Sequence, residues 1–222
     1  MKAKLIVQAV AATAGLALLA GCASTPTAST GSKPAVAGEP QVAAPLTGIY
    51  FDASSLAHPS LAAKIDNHEE ARPQWGLNQT DVVFVELVEG GLTRYVAIWH
   101  STVPSAIGPV RSIRPMDPDI ITPFLGIVAY SGGQAIFVDM MHQTPVYNAV
   151  HGQADTEAFM YRVDSRDAPH NVAVKAPELI AAHGDLKAPQ KMFNFSLDRQ
   201  GVFSSWQGKP GTQINVTFSG ER

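Results

Sequence analysis

Four arginines lie in short motifs that are rich in glycine and proline. Arg72 lies in the sequence ARPQ, Arg94 ends the sequence EGGLTR, and Arg111 and Arg114 lie in GPVRSIR, with Ser112 between them. Glycine and proline mark the ends of strands and helices, where loops gather. A guanidinium group presents a planar fork of donors that matches carboxylate or phosphate oxygens two at a time. The pattern therefore predicts an anion-binding site built from these arginines and Ser112.

Three acidic residues offer a second interpretation of the same arginines. Asp81, Glu86 and Glu89 lie within or beside the apolar run DVVFVELV. Paired with these acids, the arginines would only hold loops together, and some arginines could also occupy unrelated surface positions. In the ligand-site interpretation the three acids belong to the site, where Asp81 and Glu86 orient the guanidinium groups. Asp81 begins the run and could instead simply cap a loop.

Two residues are candidates for acid–base catalysis, namely Glu86 and His170. Glu86 interrupts an apolar run, so it either faces solvent or is buried and paired, since an unpaired buried carboxylate costs several kcal/mol. Glu89 follows an odd number of residues later, and the alternation of a strand places it on the opposite face, which argues against a catalytic carboxylate pair. His170, followed by Asn171, is either a general base or a hydrogen-bonding anchor in a charged loop.

Several other chemistries lack a signature in the sequence. The seven histidines are scattered, with no His-x-x-x-His pair and no cysteine partners, so we expect no metal and no cofactor. The sequence contains neither a Gly-x-Ser-x-Gly elbow nor a Gly-Lys-Ser/Thr phosphate loop. A formal net charge of −3 and the lack of a polybasic stretch argue against a nucleic-acid partner.

The first residues predict export and a lipid anchor. Lys2 and Lys4 precede an apolar run, Leu5 to Leu19, that is too short to span a membrane. The sequence LAGC then ends at Cys22 and resembles the lipobox of bacterial lipoproteins. We therefore expect a signal peptide over residues 1–21 and a palmitate-type lipid anchor on Cys22, in an extracytoplasmic, plasma-membrane-anchored lipoprotein. Because Cys22 is the only cysteine, it leaves no thiol for catalysis or an internal disulfide.

Composition divides the remaining chain into three parts. Residues 22–44 are mostly Ala, Ser, Thr, Pro and Gly and cannot bury enough apolar surface to fold, so they are predicted to form a flexible tether. Residues 45–190 are predicted to form one domain. The final part, residues 191–222, contains the alternating stretch TQINVTF and is interpreted as a linker and the first strand of a truncated β domain.

The domain pattern predicts a mixed α/β fold, with a central mixed β-sheet, a β-hairpin and flanking helices. A short apolar run begins at Leu61, and the runs from Asp81 to Val88 and from Thr93 to His100 flank a glycine turn, as in a hairpin. Another strand is predicted from Gly126 to Tyr130. A helix is predicted from Pro177 to His183. A second helix after Arg114 is limited by prolines 115, 118 and 123.

The ordered set of motifs resembles a known family. In chain order, the motifs are PLTG, then Asn67 ahead of ARPQ, then GL, and then Asp81 and Glu86. They continue with EGG followed by TR, GPVRS followed by Arg114, SGG, and finally PHN. This order resembles the N-terminal domain of the YerB-like lipoproteins, the DUF3048 family. The resemblance implies an extracytoplasmic lipoprotein with a second, smaller C-terminal domain, and it supplies no established reaction. This chain departs from the family where PMDP shortens the helix expected after the RSxR motif.

Two functions remain open at this point. The first is a binding or scaffold module in the cell envelope that recognises an anionic cell-wall polymer or an envelope protein through the arginines. The second is a hydrolase of a cell-wall glycopolymer that uses Glu86 or His170 as acid or base.

Overall fold

The computed structural model describes residues 39–195 of the chain. The predicted signal peptide, the lipidation site at Cys22 and the C-terminal strand TQINVTF lie outside the described residues, as does the tether up to residue 38. Among the described residues, no helix combines the length and apolar character needed to cross a membrane.

A five-stranded mixed sheet forms the centre of the domain, in the order β4-β5-β3-β6-β7. The strands are β3 (Leu61–Asp66), β4 (Val82–Leu87), β5 (Thr93–Trp99), β6 (Ile127–Tyr130) and β7 (Tyr147–Val150). Strand β5 pairs antiparallel with both β3 and β4, whereas β3–β6 and β6–β7 are parallel. With its flanking helices, this sheet confirms the predicted fold class and the β4–β5 hairpin.

The two faces of the sheet are buried by different layers. On one face Leu61, Ala63 and Ile65 pack in a cluster with residues from strand β9 (Val172–Val174) and from helix α3 (Ala176–Ala182). On the other face Ala62 packs in a cluster with residues of helices α1 (Asp117–Ile121) and α2 (Ala135–His142). Both faces of β3 are therefore covered, which explains why all six residues of this strand are buried.

The helices agree only partly with the sequence prediction. Helix α3 lies where a helix was predicted, with a proline in its first turn. The prolines do limit the helix after Arg114, since α1 has five residues before a 3-10 turn, Thr122–Phe124. Helix α2 and strand β7 were not predicted from the sequence.

Two small antiparallel sheets complete the fold. Strands β1 (Gln41–Ala43) and β2 (Tyr50–Asp52) form one of them. Since β1 lies within the range 22–44 that was predicted as tether, this paired structure begins before residue 45. The other sheet is the hairpin of β8 (Met160–Arg162) and β9 (Val172–Val174).

Glycine is required where the segment carrying Arg111 meets strand β9. Gly108 has φ +142°, and a Cβ there would lie 2.7 Å from the Val172 carbonyl oxygen. Beyond it, the Val110 N–H donates to the same carbonyl at 2.9 Å, and the Arg111 N–H donates to the Lys64 carbonyl at 2.8 Å. This segment therefore brings Arg111 to the end of strand β3.

Candidate functional site

The site begins with a row of three charged residues across neighbouring strands. Glu86 of β4 lies opposite Arg94 of β5, which lies opposite Asp66 of β3. Residues directly opposite each other in antiparallel strands share a face of the sheet, so these three side chains do so. Lys64 lies on that face as well, two residues before Asp66, because side chains of a strand alternate. On this face of the sheet, the apolar core therefore gives way to charged residues toward the end of β3.

Lys64 is the centre of a buried charged triad. Its Nζ contacts Glu86 Oε2 and lies 2.7 Å from Asp117 Oδ1, and its side chain is fully buried. Burial, followed by repulsion from Asp117, raises the pKa of Glu86 to about 7 despite the lysine. Glu86 is thus buried and paired, but its partner is a lysine rather than one of the arginines.

Asp66 is the centre of a second polar cluster at the end of β3. Its Oδ2 atom lies 2.7 Å from His170 Nδ1 and 3.3 Å from Arg111 Nε, and its Oδ1 accepts a hydrogen bond from the His68 N–H at 3.1 Å. The Arg111 Nε–H is not aligned with Asp66 and is a buried donor without a hydrogen-bond partner. A second Arg111 nitrogen donates to the Pro169 carbonyl at 3.2 Å.

Arg94 and Arg114 meet at the Ser112 backbone carbonyl. Arg94 donates to this oxygen at 3.0 Å and Arg114 at 3.4 Å. Burial, together with the positive charges of Arg114 and Arg111, lowers the pKa of Arg94 to about 10. The guanidinium groups of Arg94, Arg111 and Arg114 therefore lie close enough to repel one another.

The outer side of this arginine cluster ends in an ion pair at the hairpin turn. Arg114 contacts Glu89 Oε2 through its Nε at 3.0 Å and one terminal nitrogen at 2.8 Å, while the Glu89 side chain is 65% exposed. The hydrogen bond from Arg114 lowers the pKa of Glu89. Glu86 and Glu89 have different partners and different exposure, so they do not form a carboxylate pair.

Arg72 contributes to the loop that follows β3 rather than to the arginine cluster. It donates to the Asn67 side-chain oxygen at 3.2 Å and to the Asn67 carbonyl at 2.8 Å. Gln74 donates to the same side-chain oxygen at 3.1 Å and to the Asp66 carbonyl at 3.0 Å. The ARPQ motif thus folds back on the end of β3.

Asp81 and Asn171 also have structural partners. Asp81 Oδ2 accepts hydrogen bonds from the backbone N–H groups of His100 and Ser101 at 2.8 and 2.7 Å, so it caps the loop after β5. Asn171 accepts from Arg162 and donates to two carbonyls of its own loop.

Ser112 enters the site through its carbonyl oxygen. The two catalytic candidates have different partners, since Glu86 contacts Lys64 and His170 contacts Asp66.

Several residues of these clusters were not predicted from the sequence. Lys64 and Asp66 lie in the run LAAKID, where a lysine inside an apolar strand was the available signal. A further group consists of His68, Glu70 and His170, whose ligand-type atoms all lie within 4.8 Å of one another. No His-x-x-x-His spacing marks this group, because His170 comes from a distant loop.

The arrangement offers two kinds of chemistry. Arg94 and Arg114 share one acceptor and Arg111 lies near enough to act on the charge of Arg94, so three guanidinium groups share one neighbourhood, which suits an anionic group. His170 is oriented through Nδ1 by a buried carboxylate, which is how proteins position a histidine base or a histidine metal ligand.

Comparison with known proteins assigns the domain. The family model described as "Protein of unknown function (DUF3048) N-terminal domain" matches residues 46–189. The "Putative lipoprotein YerB" of Bacillus subtilis (strain 168) is 31% identical over 128 residues, which are 58% of this chain and 38% of that protein. The crystal structure of YerB protein from Bacillus subtilis superposes with a TM-score of 0.59 and 28% identity, over 68% of this chain and 52% of that one. The chain therefore spans well under two thirds of the relative that it matches.

Proposed function

The chain belongs to the DUF3048 family, and we propose that it is a lipid-anchored envelope protein whose domain binds an anionic group through Arg94, Arg111 and Arg114. The anionic group belongs to a cell-wall polymer or to an acidic envelope protein. The domain acts as a binding module and holds its partner near the membrane surface.

One observation carries the binding part of the proposal, namely the crowding of three guanidinium groups at the end of the sheet. Two carboxylates, Asp66 and Glu89, face them, and Glu89 is largely exposed to solvent. The lowered pKa of Arg94 reflects burial together with repulsion by the other two arginines. A carboxylate or phosphate that bound here would reduce this repulsion and accept hydrogen bonds from the guanidinium groups.

The membrane part of the proposal rests on the N-terminal sequence and on the relative's name. Lys2, Lys4 and the LAGC sequence that ends at Cys22 are features of a lipoprotein signal, and the relative from Bacillus subtilis is named as a lipoprotein. Labelling of expressing cells with a palmitate analogue tests the anchor. We expect label on the wild-type chain and none on Cys22→Ala, which should also leave the membrane fraction. Equal labelling of both chains would refute the lipid site.

Cosedimentation with purified sacculi tests the binding part. Two sacculus preparations, with and without their anionic secondary polymer, show whether binding depends on that polymer. The double variant Arg111→Gln/Arg114→Gln should lower the affinity by about tenfold or more, since a hydrogen bond to a charged group is worth roughly 1.5–3 kcal/mol. Binding should also weaken with added salt.

A matched variant controls for net charge in that experiment. Lys175→Gln/Lys187→Gln removes the same two positive charges from exposed positions. It should bind within about twofold of the wild type, because charges outside the contact contribute little. If the two double variants bind equally well, the arginine site is refuted.

A hydrolase with His170 as its base is the second candidate. The Asp66–His170 hydrogen bond of 2.7 Å supports it, because a carboxylate orients a catalytic histidine in this way. Glu86 is a weaker candidate for the acid, since its side chain is only 5% exposed and is held by Lys64. Incubation of labelled cell wall with the wild type and with His170→Gln distinguishes the two functions. Release of new fragments by the wild type alone would favour the hydrolase.

A further inference from the structure

We propose that His68, Glu70 and His170 form a binding site for a divalent transition metal ion, with Zn²⁺ as the best match. The proposal does not depend on the arginine site, although Asp66 contacts one residue of each, Arg111 and His170. It differs from the expectation drawn from sequence spacing, which gave no metal site.

The three side chains provide the nitrogen and oxygen ligands that Zn²⁺ prefers. One ligand atom from each residue lies within 4.8 Å of the other two. His170 Nε2 lies 3.3 Å from Glu70 Oε2, and His68 Nδ1 lies 3.8 Å from the same oxygen. Ligand atoms around a tetrahedral zinc ion are separated by roughly 3.3 Å, given bond lengths of about 2.0–2.2 Å. His68 Nδ1 accepts a hydrogen bond from the Glu70 N–H at 3.3 Å, so half-buried His68 would have to rotate and release this bond, with a small rotation of exposed Glu70, to close the remaining distance.

The hydrogen bond between Asp66 and His170 determines which ring nitrogen faces Glu70. Nδ1 donates its proton to Asp66 Oδ2 at 2.7 Å, so in a neutral ring Nε2 carries the lone pair. This lone pair then points toward a carboxylate oxygen 3.3 Å away. A metal ion placed between this nitrogen and the Glu70 oxygen could be bound by both of them.

The wider surroundings also suit a metal ion. Metal-bound histidines characteristically donate their other N–H group to a carboxylate, and Asp66 has that position here. The second histidine, His68, stacks on His170 with ring centroids 4.6 Å apart. If its ring turned out of this stack, it would contribute a third ligand. Three protein ligands would leave one position for water or an anion.

A separate set of contacts holds the two loops of the site together. Arg166, from the loop that carries His170, donates to the Ala71 and Pro73 carbonyls, both at 2.6 Å. Its guanidinium group also lies 4.5 Å from the centre of the Trp75 ring. Since residues 71–75 closely follow His68 and Glu70, these contacts keep His170 near its two partners without using a ligand residue.

Titration of the tag-free full-length chain with ZnCl₂ by isothermal calorimetry tests the proposal. We expect one zinc ion per chain in the wild type. Glu70→Gln keeps the size and exposure of the side chain and should weaken zinc binding by about tenfold or more. Asp66→Asn should weaken it by roughly 10–100-fold, the usual effect of losing the carboxylate behind a histidine ligand. Titration with Co²⁺ adds a visible spectrum that reports a tetrahedral nitrogen and oxygen environment.

Two control variants separate this site from incidental binding at the surface. Glu69→Gln changes the neighbouring exposed acid, and His142→Ala removes an exposed histidine on α2. Both should bind zinc within about twofold of the wild type. Because Glu70 is exposed, its variant should fold, so loss of binding there does not reflect unfolding. A wild type that binds neither zinc nor cobalt would overturn the proposal. Equal binding by Glu69→Gln and Glu70→Gln would also overturn it.

Discussion

Lys64 and Asp66 lie two residues apart on the same face of β3, yet the polar clusters around them differ. The Lys64 cluster is closed, because the lysine and Asp117 are fully buried and the Glu86 side chain is 5% exposed. The Asp66 cluster lies at the rim, where the Arg111 side chain is 20% exposed and Glu70 is 68% exposed.

This difference indicates how each cluster contributes. Every member of the Lys64 triad faces an opposite charge within the domain, although Glu86 Oε1 has no hydrogen-bond partner there. Because the triad is closed to solvent, we infer that its role is to hold α1 against the sheet. The Asp66 cluster includes a buried arginine donor without a hydrogen-bond partner and a histidine nitrogen that faces a carboxylate. Groups left incomplete at an accessible rim are where a ligand can add contacts.

Removing the cation of the triad should have the largest effect on stability. Lys64→Met leaves Glu86 and Asp117 buried without a positive partner, which should cost about 3–5 kcal/mol of unfolding free energy. Urea unfolding followed by circular dichroism measures it. The triple variant Lys64→Met/Glu86→Gln/Asp117→Asn should recover much of the loss. A cost below about 1 kcal/mol for the single variant would contradict the closed triad.

The pH dependence of the triad should be the next largest effect. The pKa of Glu86 is raised from 4.5 to about 7, so the folded state keeps a proton that the unfolded state releases. The free energy of unfolding should therefore fall as pH rises through the range of these two values, by about 3 kcal/mol. Glu86→Gln should remove this fall. The measurement is urea unfolding of both chains from about pH 4 to pH 8, and equal slopes would argue against the raised pKa.

A change at the rim should affect stability much less than a change in the triad. Arg111→Gln removes a charge that is partly exposed, and Asp66 retains His170 as a partner, so the expected cost is below about 1 kcal/mol. Thermal unfolding of both variants, monitored by circular dichroism, compares the destabilisation by Arg111→Gln with that by Lys64→Met. If Arg111→Gln destabilised the domain as much as Lys64→Met does, the rim cluster would be structural.

The ion pair at the hairpin turn should have the smallest effect. Glu89 is largely exposed, so Glu89→Gln should cost only about 0.3 kcal/mol, and the difference should vanish in about 1 M salt. Since the pKa of Glu89 is lowered, this contribution is present at neutral pH and is lost as the pH falls toward the range where carboxylates protonate. Denaturant midpoints at two salt concentrations measure it.

The strands that were predicted from sequence have strong local patterns. Strands β4 and β5 are rich in β-branched and aromatic residues and flank a glycine turn, and β3 is a short apolar run. Helix α2 follows SGG and has few polar residues to define a face, so its pattern was ambiguous. Strand β1 lies in a region of small residues, where pairing with β2 outweighs composition.

Only part of the candidate site could be predicted from the sequence, and the reason differs from the one that applies to the strands and helices. Arginine type and spacing near glycine and proline identified Arg94, Arg111 and Arg114 as candidates, and the structure brings them together. Their partners depend on contacts between distant residues. Asp66 and His170 are 104 positions apart, and Lys64 reaches Asp117 across 53. No local pattern encodes such distances, so Asp66, His68 and Glu70 were missed.

The loop that carries His170 joins the two strands of the small β8–β9 hairpin, which is separate from the five-stranded sheet. Strand β9 is buried in the core with β3 and is hydrogen-bonded to Val110, so local opening should be confined to the loop between the two strands. Such opening, which is measured by amide hydrogen exchange, would withdraw His170 and Arg166 together while the strands stay folded. A ligand held by His170 at about a hundredfold excess over its Kd would oppose this opening by about 2.7 kcal/mol. Slower exchange in the loop after residue 162 would then report occupancy of the site.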